Sequence, residues 1–324
     1  QTLNVRGGTG GDTGSAAIYG LKGKKNVKVF ILYPKNGVSP TQELQMCDIE
    51  DKNVFPIAIN GTFDDCQNII KEIFKDNAFK EKYHLGSINS INFARILAQI
   101  VYYYYAFLKV GKNVLFSVPT GNFGDIFAGY LAKLMGLPVE KLILATNEND
   151  VLYRFVRFGD YSKQNVKKTL SPSMDIQLAS NFERYIYYLY NQDCNKVKDL
   201  MSQLNKNGKL IFTDKLSQIQ NEFSSYRVSD LMILQTIKDF YEKYNYIIDP
   251  HTACGVKAAF SEGKQAVCLA TAHPAKFSEV IKDALGFKID LPEKLAKLKT
   301  KKRNFEQENS IKAIKHFIEL NANV

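Results

Sequence analysis

At 324 residues the chain is long enough for two domains and a large buried core. Its 45% hydrophobic and 23% charged residues are the balance of a soluble globular protein. The formal charge of +10 raises nucleic acid as a partner, but the excess gathers in Lys294, Lys297, Lys299, Lys301, Lys302 and Arg303 without interleaved aromatic residues or a nucleic-acid motif, so a solvated basic face and no nucleic acid are expected.

The longest apolar run, residues 96–108, is broken by Gln99 and is shorter than the roughly 18 residues a membrane span needs. No signal peptide is visible. The five cysteines, Cys47, Cys66, Cys194, Cys254 and Cys268, are odd in number and form no Cys-x-x-Cys pair. They read as free, mostly buried thiols of a reducing, cytoplasmic compartment.

Residues 2–5 read as a strand leading into the loop Gly7, Gly8, Thr9, Gly10, Gly11, Asp12, Thr13, Gly14, with a helix from Ser15 to about Leu21. A second strand over 27–33 closes at Pro34. A helix opens at Ser39 and Pro40 and runs through Met46. A third strand spans 54–59, and a charged amphipathic helix follows over 62–75. This alternation predicts a parallel α/β sheet. Near Ser87 it gives way to a long apolar helix, 89–108, which carries Tyr102 to Tyr105. A domain boundary is placed there, giving a smaller α/β domain over 1–88 and a larger one over 89–324 with a basic helical tail.

The second part repeats the alternation: strand 113–118, helix 125–136, strand 141–146 and a helix beginning near Asn149. Residues 158–175 read as a loop. Helices are expected near 180–192, 194–205 and 229–244, with a short strand over 209–212. Residues 266–270 form a buried strand that ends in Thr271, Ala272, His273 and Pro274. The tail carries a helix capped at Asn309 and Ser310, with Ile311, Ile314, Phe317 and Ile318 on one face.

Three stretches carry chemistry. Pro119, Thr120, Gly121, Asn122, Phe123, Gly124 and Asp125 form a strand-to-helix turn with two glycines. Such a turn lets backbone approach a ligand and offers unpaired N–H groups at a helix start, which suits a phosphate; a tight turn without a ligand fits the same residues. The first glycine loop fails the dinucleotide pattern, because Thr13 stands where a third glycine is required and the next strand ends in Tyr33 and Pro34 with no acid. It suits a small carboxylate or phosphate. The third stretch, Ser87 to Arg95, crowds Asn89, Ser90, Asn92 and Arg95 at one helix start. Ser90 or Asn89 is a plain N-cap on one reading. Arg95 gains nothing from the helix dipole there, and an anionic ligand accounts for it. His251 and His273 lack metal-ligand spacing, and no Gly-x-Ser-x-Gly elbow is present, so no metal is expected.

Matching stretches run nearly end to end: Gly11 to Gly14, Ile31 to Pro34, Val38 to Pro40, Gly61 to Asp65, Asn89 to Asn92 with Arg95, Pro119 to Asp125, Ala145 to Asn147 with Asn149 and Asp150, Pro172 to Asp175, Asp249 to Thr252, and Thr271 to Phe277. In this order they resemble the threonine synthase family, pyridoxal-phosphate enzymes of the tryptophan-synthase β-like fold (fold type II), with two parallel-sheet α/β domains. The resemblance implies that Gly121, Asn122, Phe123, Gly124 and Asp125 cradle the cofactor phosphate, that Thr271 faces the pyridine nitrogen, and that Asp12 lies nearest the 3′-oxygen. It assigns the substrate carboxylate to Thr9, Gly10, Gly11, Asp12 and Thr13, and the substrate phosphate to Ser90, Asn92 and Arg95. The implied reaction converts O-phospho-L-homoserine and water to L-threonine and phosphate.

Two departures stand out. The family usually has serine where this chain has Gly10, so one hydroxyl is lost from the carboxylate loop. The family's Schiff-base lysine sits in a Phe-Lys-Asp stretch before the glycine loop, upstream of Gln1, and this chain alone is expected to be inactive. Phe74, Lys75 and Asp76 repeat that stretch downstream of the loop, where Lys75 reads as surface. The alternatives are a related phospho-amino-acid lyase, a dehydratase of the same fold, or a non-catalytic protein that binds pyridoxal phosphate.

Overall fold

In the computed structural model, which describes residues 2–9, 12–38, 40–89, 92–111, 114–298 and 303–322, the alternation resolves into two parallel sheets. The chain begins with β1 (Leu3–Gly8), α1 (Asp12–Leu21), β2 (Val27–Pro34), α2 (Pro40–Cys47), β3 (Val54–Ile59), α3 (Phe63–Lys75), α4 (Asn77–Lys82) and β4 (Leu85–Ser87). Next come α5 (Phe93–Val110), β5 (Val114–Pro119), α6 (Gly124–Leu134), β6 (Val139–Thr146), α7 (Val151–Phe158), β7 (Asp160–Ser162), α8 (Phe182–Leu189), α9 (Cys194–Asn207) and β8 (Lys209–Ile211). The third stretch holds α10 (Leu216–Glu222), β9 (Phe223–Arg227), α11 (Asp230–Tyr244), α12 (Pro250–Glu262), β10 (Ala266–Cys268) and α13 (Ser278–Leu285). The chain closes with α14 (Glu293–Ala296), β11 (Phe305–Gln307) and α15 (Ile311–Asn321).

Two compact units result, one of residues 1–92 with 291–324 and the other of residues 93–290. The first unit holds a five-stranded sheet in the order β11-β3-β2-β1-β4, parallel throughout. Its inner strands bury both faces, which is why β2 and β3 read as unbroken apolar runs. Phe30 and Leu32 of β2 face the cluster that holds Ile69, Ile70 and Ile73 of α3 and Ile314, Phe317 and Ile318 of α15. Val29, Ile31 and Tyr33 face Ala17, Ile18 and Met46 on the other side. The start of α3 is fixed by a capping box: the Thr62 hydroxyl accepts from the Asp65 N–H, and the Asp65 carboxylate accepts from the Thr62 N–H at 2.7 Å.

The boundary read from the sequence, 1–88 and 89–324, differs from this division. The C-terminal residues complete the first sheet: β11 pairs with β3 from Phe305 opposite Ile57 to Gln307 opposite Ile59. Without β11, β3 would be an open edge. In α15, Ser310 is the N-cap and Ile314, Phe317 and Ile318 are buried, while Ile311 stays exposed.

The second unit holds a four-stranded parallel sheet, β10-β5-β6-β9, and a β7–β8 antiparallel pair. Aromatic rings fill the core behind it: Phe155 meets Phe182 edge-on at 4.8 Å and Phe212 at 5.3 Å. The expected loop over 158–175 contains β7 and a 3-10 turn, Pro172–Met174, tied back to the end of β6. The Asn147 carboxamide donates to the Thr169 hydroxyl at 2.8 Å and to Asp175 at 2.8 Å, and Asn149 donates to Asp175 at 2.9 Å.

Candidate functional site

In each sheet the strand order reverses beside the strand that leads into a glycine loop. In the second sheet β5 connects onward to β6 on one side, while β10 flanks it on the other. Ligands of open α/β sheets collect at the carboxyl ends of strands at this position. There the turn from Thr120 to Gly124 leaves β5 and starts α6, and Thr271 follows the end of β10. The Thr271 N–H donates to the Thr252 hydroxyl at 3.3 Å, and its side chain is exposed. The structure thus brings Gly121 to Asp125 and Thr271 to adjacent strand ends.

Phe123 makes this turn possible. Its backbone sits in the left-handed region (φ 65, ψ 6), where a bulky residue is rare and strained. Its side chain is fully buried against Phe182, Tyr185 and Phe223, with ring centroids 5.8 to 6.1 Å away. Core packing therefore holds the backbone in a conformation it would otherwise leave. Phe123 contributes position, and its ring faces away from any ligand into the core.

Backbone approaches backbone closely at Gly121, and two asparagine side chains crowd Gly124. A β-carbon on Gly121 would stand 2.9 Å from the Ser173 carbonyl oxygen. On Gly124 it would stand 2.8 Å from the Asn122 side-chain oxygen and 3.3 Å from the Asn181 amide nitrogen. The Asn122 oxygen accepts the Gly124 N–H at 2.8 Å, and Asn181 donates through its backbone N–H to the Asn122 carbonyl at 3.0 Å. The N–H groups of Asp125 and Ile126 belong to the first turn of α6, where a helix supplies no acceptor of its own. This cradle of N–H donors at a positive helix end fits a phosphate monoester.

The Asp125 carboxyl adds charge control. Burial pushes it up to about 6, against the lowering effect of its hydrogen bond with Tyr103. The Tyr103 hydroxyl donates to the Asp125 carbonyl at 2.7 Å and lies 3.5 Å from its carboxylate. The Asp125 side chain is thus turned to α5, and its N–H is what it offers the turn.

In the first sheet the reversal lies between β1 and β4. β1 runs on through Gly8, beyond the Val5 expected from sequence, and α1 already begins at Asp12. Thr9 is buried, and its hydroxyl accepts the Gly14 N–H at 2.8 Å, bracing the first turn of α1. Asp12 and Thr13 lie in that turn. The segment after β4 runs beside β1: Ile88 donates its N–H to the Arg6 carbonyl at 2.8 Å. Asn92 donates from its side chain to the Ser87 carbonyl at 2.9 Å. Gly10, Gly11 and Ser90 lie outside the described residues. Arg95 belongs to the first turn of α5 in the second unit; the helix begins at Phe93, four residues later than the sequence suggests. One of its terminal nitrogens is buried without an acceptor among the described residues, and burial lowers its pKa.

Lys75 ends α3 on the surface, paired with Glu72 at 2.6 Å. The sequence reading missed one buried polar cluster in the second unit, Asp249 with His251 and Thr252. Its signal was an Asp-Pro pair at a helix start, which reads only as a cap. Among the described residues no three His, Cys, Asp or Glu side chains are grouped to hold a metal, and no helix is long and apolar enough to cross a membrane.

Comparison with known proteins bears on both sheets. The family described as "Pyridoxal-phosphate dependent enzyme" matches residues 2–203, and that described as "Threonine synthase, C-terminal" matches residues 252–318. The chain is 47% identical to the threonine synthase of Saccharomyces cerevisiae, over 98% of its own length and 69% of that protein's. It is 46% identical to that of Schizosaccharomyces pombe, over 88% and 62%. Among solved structures it is similar to PLP-bound threonine synthase from Brucella melitensis, with a TM-score of 0.93 and 43% identity, over 100% of this chain and 72% of that one. For yeast threonine synthase the TM-score is 0.89 at 44% identity, over 99% and 70%. The chain spans about two thirds of the length of these relatives.

Proposed function

Because this chain belongs to the threonine synthase family of pyridoxal-phosphate-dependent enzymes and has their type II α/β fold, we propose that in the whole protein it serves the conversion of O-phospho-L-homoserine and water to L-threonine and phosphate. The observation that carries this reading is the N–H cradle of Gly121 to Asp125 at the same strand-order reversal as Thr271.

The roles follow from the chemistry of each group. Gly121, Asn122, Phe123, Gly124 and Asp125 form the turn that holds the cofactor phosphate at the start of α6. Thr271 meets the pyridine nitrogen with a neutral hydroxyl, which supplies no negative charge to keep that nitrogen protonated. Pyridoxal phosphate, when bound, supplies a conjugated ring that takes up electron density from the substrate. Asp12, in the first turn of α1, is assigned to the cofactor's 3′-oxygen. Thr9, Gly10, Gly11, Asp12 and Thr13 receive the substrate carboxylate, Asp12 and Thr13 from the start of α1. Ser90, Asn92 and Arg95 receive the substrate phosphate, and the partly unsatisfied guanidinium of Arg95 favours a phosphorylated substrate over a plain amino acid. Free thiols at all five cysteines support a reducing, cytoplasmic setting.

Arg95→Ala tests the assignment. Loss of a charge-assisted hydrogen bond should weaken phosphohomoserine binding on the order of 10²-fold. Binding of an unphosphorylated amino acid should change far less. Equal losses for both ligands would make Arg95 structural and remove the support for a phosphorylated substrate.

A further inference from the structure

Asp249 is the N-cap of α12, and its carboxylate is fully buried. It accepts four hydrogen bonds: from the His251 N–H at 2.9 Å, the Thr252 N–H at 3.3 Å, the His251 Nδ1 at 3.0 Å and the Thr252 hydroxyl. Burial by itself would raise its pKa, but the bonds from His251 and Thr252 outweigh it and hold the group below the usual carboxylate range.

An ionised Asp249 assigns the imidazole proton of His251 to Nδ1. Nε2 is then a bare acceptor, and it takes the Ser173 N–H at 3.1 Å. The His251 ring is further held against Phe277, with centroids 4.9 Å apart. Ser173 lies in the Pro172–Met174 turn, and its carbonyl oxygen is the atom that backs Gly121 of the phosphate cradle. On the other arm, the Thr252 hydroxyl donates to Asp249 and accepts the Thr271 N–H at 3.3 Å. One buried carboxylate therefore reaches, through one side chain each way, the backing of the cradle and the backbone of Thr271.

We propose that Asp249, His251 and Thr252 are positioning residues that set the span between the phosphate cradle and Thr271, so that the phosphate and the ring of one cofactor are gripped together. They act through Ser173 and Thr271 and do not touch reacting atoms. The proposal rests on the reading of those two elements as the two ends of the cofactor site.

Variants that cut one arm at a time test it. His251→Asn keeps a donor near the Nδ1 position and drops the acceptor for Ser173. His251→Gln keeps an acceptor near the Nε2 position and drops the donor to Asp249. Thr252→Val removes the Thr271 arm with little change of shape. Affinities for inorganic phosphate, pyridoxal and pyridoxal phosphate are measured by titration, with amide exchange at Ser173 and Thr271 followed in the same samples without cofactor.

His251→Asn should free the Ser173 amide and weaken phosphate and pyridoxal phosphate about tenfold, with pyridoxal little changed. His251→Gln should recover most of that loss. Thr252→Val should free the Thr271 amide and weaken pyridoxal and pyridoxal phosphate by a similar factor, leaving inorganic phosphate unchanged. Asp249→Asn should affect all three ligands and both amides. If instead every variant weakens all three ligands alike, in step with its melting temperature, the cluster is only a helix cap and the proposal fails. Wild-type protein that takes up neither inorganic phosphate nor pyridoxal phosphate would overturn the cofactor reading, and the positioning role with it.

Discussion

The Asn122 side-chain oxygen accepts the Gly124 N–H at 2.8 Å, and a β-carbon on Gly124 would stand only 2.8 Å from the same oxygen. Gly124→Ala must push that carboxamide aside and open the turn. Affinity for pyridoxal phosphate and for inorganic phosphate should fall about tenfold or more, while the far-ultraviolet spectrum stays native. An alanine variant that titrates like the parent would show that the turn is not the phosphate cradle.

Arg6, on β1, is fully buried, and its three guanidinium nitrogens have no acceptor among the described residues. Its guanidinium lies 4.8 Å from the centre of the Phe74 ring. Burial lowers its pKa from 12.5 to about 9. Arg6→Met should therefore stabilise the protein at neutral pH, by about 2 kcal/mol. The folded state binds this proton less tightly than the unfolded state, so the wild type regains stability as pH rises above 9. The advantage of the variant should shrink there by about 1.4 kcal/mol per pH unit. Denaturant unfolding at pH values on either side of 9 measures both effects; a destabilised variant would mean that the cation has a partner.

Asp125, raised by burial to about 6 from 3.8, should carry a pH signature of its own. The folded state favours its proton, so its contribution to stability is fully present below 3.8 and is lost as pH rises through about 6. Asp125→Asn removes that loss. Its unfolding midpoint relative to wild type should climb between about pH 4 and 6 and level off above. A flat difference across that window would show that the carboxyl is not held neutral by burial.

Lys75→Ala should leave pyridoxal phosphate affinity unchanged and lower stability by at most about 0.5 kcal/mol, because the Lys75–Glu72 pair is exposed. A borohydride-reduced pyridoxyl group mapped to Lys75 would contradict its surface assignment.

Much of this architecture is legible in the sequence. The runs over 27–33, 54–59 and 141–146 mark strands covered on both faces, where contiguous apolar residues are required. The turn from Pro119 to Asp125 announces itself through two glycines between such a run and an apolar helix. The short strands β4, β9 and β11 do not. Each is partly polar and owes its extended form to a long neighbour; β11 finds its partner about 250 residues away in the chain. The sequence gives no strand signal at Arg6, because Gly7 and Gly8 follow it and its burial comes from packing on Phe74.

The sequence by itself determined the chemistry on offer: glycine turns at strand ends, an arginine at a helix start, a threonine after a short apolar strand that the structure shows half-buried at the sheet edge. Those depend on local backbone freedom and on apolar periodicity, which neighbouring residues set. The tertiary structure alone decided that Phe123 spends its ring on the core to hold a left-handed backbone, that Ser173 backs Gly121, and that Asp249 reaches both Ser173 and Thr271. The hydrogen bonds behind these pairings join residues 19 and 78 positions apart in the chain, and no local rule relates them. They form because a buried carboxylate must find partners once the sheet and its helices have closed over it.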